Sequence, residues 1–381
     1  MSARVFLSLV AVAVLAAQPA SKREEARKSL AYIKAHYTKY EFRIPMRDGK
    51  RLFTAVYTPK DDSQRYPILM TRTPYSVAQY GVDQYRAKLG PSKQFTQEGF
   101  IFVYQDVRGR YMSEGEFVEM RPEKDAPRGP PDVDESTDTY DTIDWLVKRI
   151  PNNNGRVGLV GISYPGFYAA AGLVNAHPAL KAVSPQAPIA DLYMGDDAYH
   201  NGALYLAANF GFYTSFVRRK GEPSPTEPHD LYDFTAPDGY DFYLRMGPLA
   251  NADELYLKRE NPYWTGMVRH TTYDDFWKSR SLTPHLKNVK PDVLTVGGWF
   301  DAEDLAGPQR VFAAIEAHHP PAVNSIAIGP WYHGGWARSD GDRLGDVNFN
   351  SKTSIYFRDK IEFPFFLYEL KGKGEGKMPK A

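Results

Sequence analysis

The chain has 381 residues, more than the roughly 250–300 over which one hydrophobic core keeps growing, so a main domain carrying a second unit is expected. Its 47 basic and 46 acidic side chains nearly cancel, which excludes recruitment of nucleic acid or an anionic membrane by bulk charge. The absence of cysteine excludes disulfides, thiolate chemistry, cysteine-based metal sites and a lipidated cysteine.

In "MSARVFLSLVAVAVLAAQPASKREE", Arg4 precedes an apolar stretch from Val5 to Ala17, followed by small residues and charges. That stretch is too short to span a bilayer and has the pattern of a secretory signal peptide over residues 1–20, with cleavage near Ala17 or Ala20. A periplasmic or secreted protein is expected from it; a buried N-terminal helix is the plainer alternative. Residues 21–37 read as a polar helical arm.

From residue 38 the chain settles into strands and helices. "YEFRIPMRDGKRLFTAVYTP" is two strand-like runs around the turn "RDGK", a hairpin. "YPILMTRT" and "FIFVYQDV" are strands separated by the short helix "PSKQFTQEG". In "STDTYDTIDWLVKRI", Ile143, Leu146, Val147 and Ile150 fall at i, i+3, i+4 and i+7, the stripe of an amphipathic helix. The strand "RVGLVGIS", the helix "YPGFYAAAGLVNAHP" and the strand "LKAVSPQAP" complete a first core segment, 38–188. Residues 189–290 are rich in Tyr, Phe, Asp and Pro without a run of buried strands, as in a helical cap. Strand character returns in "PDVLTVGGWF" and "AVNSIAIGP", with the helix "PQRVFAAIEAHH" between them and a last helix over "SKTSIYFRDKIEFPFFLYEL", a second core segment, 291–372. This alternation predicts an α/β fold, a mostly parallel sheet with helices on both faces and its site at the C-terminal strand ends beneath the cap.

The motif "GISYPG", Gly161 to Gly166, is G-x-S-x-G at the end of an apolar strand and the start of a helix. In that context the glycines permit a sharp turn holding the Ser163 hydroxyl at the sheet edge as a nucleophile; an ordinary βα turn is the bland alternative. A nucleophilic serine needs a base and an orienting acid, in the chain order Ser, Asp or Glu, His for this fold. Asp301 ends the next strand beyond the cap, and His333 follows the final strand. Among nine histidines only His333 has that topological position. The Tyr164 N–H is the expected first oxyanion donor, and the Tyr75 hydroxyl a candidate for the second. Taken alone, Tyr75 reads better as a packing residue, and Glu303 and Asp304 as solvated loop acids. No H-E-x-x-H, spaced histidine pair or acidic calcium loop is present, so no metal and no cofactor are expected. "KGKGEGK" reads as a flexible tail rather than a phosphate loop.

"RTPYS", "VYQDVRGRYMSEGEF", "GISYPG", "MGDDAYHNGA", "GGWFDAEDLAGP" and "GPWYHGG", in this order, resemble the cocaine-esterase and X-Pro dipeptidyl-peptidase-like (CocE/NonD) serine hydrolases. Within them the chain is most similar to the α-amino-acid ester hydrolases and glutaryl acylase-like relatives. The resemblance implies an α/β-hydrolase fold, a Ser163–His333–Asp301 triad, and an oxyanion hole of the Tyr75 hydroxyl and the Tyr164 amide. It further implies that Asp197, Glu303 and Asp304 bind a substrate α-ammonium, with Asp196 as the neighbouring residue open to confusion with Asp197. Asp106 and Arg108 are read as supports of the fold. The family continues into a jelly-roll β-domain, expected to begin where residues 373–381 form a tail. The activity implied is hydrolysis of α-amino-acid esters, and of amides including β-lactam side chains, on a small-molecule substrate, with homo-oligomers in the family. An X-Pro dipeptidyl peptidase, a general cocaine-esterase-like carboxylesterase and a non-catalytic hydrolase-fold binding protein are the alternatives.

Overall fold

The computed structural model describes residues 20–124, 129–216, 221–227, 236–318, 320–321 and 323–374. The segment read as a signal peptide lies outside the described residues except for Ala20, and so does the tail beyond 374. Helix α1 (Ala20–His36) leads into β1 (Tyr37–Pro45), which forms the expected hairpin with β2 (Arg51–Pro59). Gly49 supplies the positive φ of +83° that its turn needs. β3 (Tyr66–Thr73), α2 (Lys93–Glu98), β4 (Ile101–Asp106), α3 (Glu135–Arg149), β5 (Asn153–Ile162), α4 (Tyr164–Ala171) and β6 (Leu180–Gln186) follow. The chain then leaves the sheet. Residues 187–291 hold a two-residue ribbon, β7 (Tyr199–His200) with β8 (Ala203–Leu204), and the short helices α5 (Leu206–Ser215), α6 (Gly239–Met246), α7 (Pro262–Arg269) and α8 (Asp275–Lys278). It returns as β9 (Asp292–Gly298), α9 (Ala306–Ala317), β10 (Asn324–Gly329) and α10 (Gly335–Arg338). A small ribbon, β11 (Arg343–Leu344) with β12 (Val347–Asn348), precedes α11 (Thr353–Phe357) and α12 (Phe363–Lys371), which are joined by one widened turn.

Among the described residues the main sheet has eight strands in the order β1-β2-β4-β3-β5-β6-β9-β10. β1 and β2 are antiparallel, β2 is antiparallel to β4, and every later pair is parallel. Period-two alternation sends neighbouring residues of β5 to opposite faces: Leu159 joins the core under α3 and α4, Val160 the core under α2 and α12. On α3, Ile143 and Leu146 are fully buried against the first of these cores, Ile150 is buried and Val147 partly so. The helix starts at a reciprocal cap: Asp134 accepts from Thr137 N–H at 2.8 Å, and Asp134 N–H donates to the Thr137 hydroxyl at 2.9 Å.

Buried ions tie α3 to the ends of β3 and β4. Arg108 grips Asp138 with two hydrogen bonds of 2.9 and 2.6 Å and reaches Asp48 at 2.7 Å. Arg72 donates to Gln105 at 2.9 Å and to the Thr139 hydroxyl at 3.0 Å. Asp106 accepts from Val77 N–H and the Tyr80 hydroxyl, both at 2.9 Å, and so braces the loop that carries Tyr75. Burial raises the Asp106 carboxyl to about 7, with these donors working against it. Asp106 and Arg108 therefore act as the fold supports read in the sequence. Arg108→Leu is expected to cost about 3–5 kcal/mol in urea unfolding, because it removes the two close donors of buried Asp138 and leaves it the longer pair with Arg72 at 3.7 Å. Lys148→Ala, which removes an exposed i,i+4 pair with Asp144, is expected to cost less than about 0.5 kcal/mol.

Candidate active site

β5 stays apolar to Ile162, and the chain then reverses into α4 through Ser163 at φ +67°, ψ −128°. Such a backbone is strained for a residue with a Cβ and persists only when its surroundings fix it. The Ser163 N–H donates to Gln186 O of β6 at 2.9 Å. Both glycines of the motif are sterically required. A Cβ on Gly161 would stand 2.1 Å from Pro165 O, and one on Gly166 2.3 Å from Gln186 O. The turn leaves Ser163 half-buried on a cleft of about 340 Å³ whose walls include Tyr75, Tyr164, Asp197 and Glu303.

Adjacent parallel strands bring Asp301 and His333 together. Gly298 and Gly329, the last residues of β9 and β10, face each other in register. Their loops are then stitched by Trp299 N–H to Gly329 O at 2.9 Å and Phe300 N–H to Trp331 O at 3.0 Å. His333 Nδ1 lies 2.9 Å from Asp301 Oδ2 and 3.1 Å from Oδ1. Asp301 Oδ1 also accepts the N–H groups of Glu303 and Asp304, each at 2.9 Å. Burial works to raise the Asp301 carboxyl, but His333 and these amides outweigh it and hold it below its ordinary value. An ionised carboxylate only accepts, so Nδ1 carries the proton and the neutral ring presents Nε2 as its acceptor. Burial opposes protonation of His333, yet Asp301 first, and then the charges of Glu303 and Asp197, raise its pKa above 6.5.

Nε2 does not meet the serine in this structure. It lies 3.4 Å from Glu303 Oε2, and no hydrogen bond joins it to Ser163 Oγ among the described residues. The Asp301–His333 pair is thus assembled, whereas the Ser163–His333 contact is open, as catalytic hydrogen bonds often are before substrate binds.

As the first residue of α4, Tyr164 has an N–H without an intrahelical acceptor, beside Ser163. Tyr75 follows β3, its N–H donating to Thr73 Oγ1 at 3.0 Å and its ring edge-on to those of Tyr164 and Phe216. Its accessible surface, 42%, opens onto the cleft. Burial of the phenol, then the charges of Asp197 and Glu119, raise its pKa well above 10, so it remains a donor.

The neighbouring aspartates separate cleanly. Asp196 is fully buried and accepts Ala190 N–H at 2.9 Å, Asp191 N–H at 3.0 Å and Gly307 N–H at 2.7 Å, riveting the loop after β6 to the first turn of α9. Asp197 is half-buried and lines the cleft. Burial, then the charge of Glu303, push its carboxyl up to about 7. Asp304 is fully buried, its carboxyl meets no close hydrogen-bond partner among the described residues but lies against that of Asp197, and burial with Asp197 holds its pKa well above the ordinary value. Helix α9 begins at Ala306, two residues before the Pro308 start expected from sequence, and Glu303 and Asp304 still precede its N-cap, Leu305. One cleft residue escaped the sequence reading. Glu119 is buried, and its place in the loop beyond the C-terminal end of β4 is the signal that would have found it.

A mostly parallel eight-stranded sheet, a serine on a strand-to-helix turn and an Asp–His pair on two later strand ends define the α/β-hydrolase class. Residues 48–335 match the model of the X-Pro dipeptidyl-peptidase (S15) family, and the chain belongs to that family. It is 29% identical over 312 residues to the cocaine esterase of Rhodococcus sp. (strain MB1 Bresler), covering 79% of this chain and 50% of that protein. Two solved structures superpose on 91% of this chain and 56% of their own, each at 34% identity. They are an aminopeptidase from a marine sediment Thaumarchaeota archaeon, TM-score 0.79, and an α-amino acid ester hydrolase, TM-score 0.78. The chain therefore spans about half the length of the relatives it matches. The family resemblance and the α/β-hydrolase fold expected from sequence are borne out.

Removing the negative charge of Glu303 withdraws one of the groups that hold the His333 proton. In Glu303→Gln, the His333 imidazole followed by NMR is expected to titrate at lower pH than in the parent protein. An unchanged midpoint would show that Asp301 alone sets it.

Proposed function

We propose that the protein is a serine hydrolase that cleaves esters, and amides such as β-lactam side chains, of acyl groups carrying an α-amino function. The observation that supports this reading is that Asp197 and Glu303 line the cleft that holds Ser163, with the buried Asp304 within electrostatic reach of both. Carboxyls crowded together repel until a cation sits among them. A single contact at ~4 Å contributes up to about 4 kcal/mol at an effective dielectric near 20, before desolvation is subtracted. An α-ammonium held there sets the acyl carbonyl over the serine.

Ser163 Oγ attacks that carbonyl and its proton passes to His333 Nε2, while Asp301 stabilises the imidazolium. The Tyr164 amide and the Tyr75 hydroxyl take the developing oxyanion. Collapse breaks the bond to the leaving group, which receives the proton from Nε2. Water, deprotonated by His333 in turn, then releases the acid and restores Ser163. An ammonium paired with Glu303 offsets a charge that favours the protonated His333 ring, and so leaves Nε2 free to accept from the serine. An aminopeptidase reading shares the ammonium site, and the 34% identical archaeal aminopeptidase favours keeping it as the second possibility. Export remains the reading of residues 1–20, supported by the sequence pattern.

Ser163→Ala is expected to lower turnover by several orders of magnitude. A fluorophosphonate should add its mass to the parent protein at Ser163 and leave the variant unlabelled. Labelling of the variant would assign the nucleophile elsewhere. Replacing Glu303 by Gln together with Asp304 by Asn should cut kcat/KM for an α-amino ester by roughly ten- to a hundredfold, as loss of a charge-assisted hydrogen bond does, and far less for the des-amino ester. Equal losses on both esters would return these acids to a structural role. Comparing esters with anilides of the same amino acid separates esterase from aminopeptidase.

A further inference from the structure

Glu119 is an acid of the cleft to which the α-ammonium site gives no part. It lies between β4 and α3, is 8% exposed, and lines both the cleft and an adjoining cavity of about 180 Å³. Among the described residues it forms no ion pair. Arg110, the nearby cation, is engaged at 2.5 Å by Glu227 and stacks 4.0 Å from the centre of the Phe216 ring. The Tyr213 hydroxyl reaches Glu119 Oε1 only at 3.5 Å, a weak contact. Burial pushes the Glu119 carboxyl up to about 7, with Arg110 and the hydroxyls of Tyr164 and Tyr213 working against it. A buried carboxyl is costly unless paired, and this one faces a space that a ligand can enter.

The surroundings suit a cation on an alkyl stem. Phe212 stacks on Phe216 with centroids 4.6 Å apart and meets Tyr213 edge-on at 5.0 Å, forming an aromatic wall beside Glu119. Methylenes pack on such faces, and an ammonium is attracted to them. Asp197 adds negative potential, and the Arg110 charge is offset by Glu227.

We propose that Glu119 reads the far end of the acyl group, so that the preferred substrates are basic α-amino acyl compounds, lysyl or ornithyl in type, whose distal ammonium pairs with Glu119 while the stem packs on Phe212 and Tyr213. This rests on the proposed acyl-enzyme chemistry at Ser163, and its test is separable from that of the α-ammonium site. The parent protein and Glu119→Gln are compared on the methyl esters of lysine, norleucine, 6-aminohexanoate and hexanoate. Lysine is expected to exceed norleucine in kcat/KM by at least about tenfold, the smallest factor for a charge-assisted hydrogen bond, and Glu119→Gln to erase that ratio without lowering the norleucine rate. The 6-aminohexanoate and hexanoate pair repeats the comparison without an α-amino group, so it decides the role of Glu119 even if norleucine and hexanoate turn over equally and the α-ammonium site fails. Calorimetric binding of lysinamide and norleucinamide gives the same ratio without turnover. Norleucine equal to or better than lysine in the parent protein overturns the proposal, as does a variant that loses both equally. A preference for tyrosyl over phenylalanyl esters with none for lysyl over norleucyl would make Glu119 an acceptor for a neutral hydroxyl and also overturn it.

Discussion

The site depends on the parallel register between β9 and β10. Gly298 and Gly329 are paired at the C-terminal ends of the two strands, so the chains leave the sheet side by side. Asp301 and His333 come three and four residues later, which sets their side chains within 2.9 Å. Side chain is excluded at this exit for a concrete reason: a Cβ on Gly298 would lie 2.2 Å from Trp331 O, and one on Gly329 2.5 Å from the Trp331 ring. A one-residue slip would send Val293 and Val296, which serve the cores on opposite faces of the sheet, each to the wrong face and part the acid from the histidine. β6 extends the same edge: Gln186 O holds Ser163 N–H, and Ala187 N–H bonds to Val296 O at 2.8 Å. Four neighbouring strands of one sheet, β5, β6, β9 and β10, therefore position the serine, the acid and the histidine.

The electrostatics run against stability. Asp197 and Asp304 have carboxyl pKa values raised by burial and then by a neighbouring charge, that of Glu303 for Asp197 and that of Asp197 for Asp304, Asp197 from 3.8 to about 7. Between those values the native state binds more protons than the unfolded chain, so their contribution to stability falls as pH rises through that window. Asp301 has the opposite sign. Its lowered pKa contributes stability above the ordinary carboxylate range, and that contribution is lost as pH falls through the folded value. One acid is thus built into the fold by its histidine and two backbone amides, while the others are held where they repel. Groups kept at a cost to stability inside a cleft are the mark of a site shaped for a ligand rather than for packing.

Much of this was legible in the sequence because the signals were local or topological. The elbow could be read from two glycines around a serine at a strand-to-helix junction, and His333 from its place after the final strand. The distinction between Asp196 and Asp197 was not legible, since it turns on three amides arriving from residues 190, 191 and 307. The family pattern named Asp197, and only the packing shows why its neighbour is spoken for. Glu119 was hidden among the acids of "SEGEFVEMRPE", where nothing local separates a solvated loop acid from one turned into a cleft. The short β11–β12 ribbon and the early start of α9 were also missed, because each is fixed by tertiary contacts more than by propensity.

Tyr75 closes the chain of dependence that begins in the buried ions. Asp106, at the end of β4, accepts from Val77 and Tyr80 and so fixes the loop that offers Tyr75 to the cleft. In the proposed mechanism the phenol must stay protonated while His333 must be neutral. The surrounding carboxyls move both pKa values in the same direction, upward from 10 for the phenol and upward from 6.5 for the imidazole. One negative field thus delays the base and protects the donor. The interval in which both groups are in their working forms is displaced toward alkaline pH rather than narrowed. An α-ammonium entering that field neutralises part of it and lowers the histidine's hold on its proton just when a substrate is present to use the base. In the proposed mechanism the carboxyls that select the substrate then also set the readiness of the base.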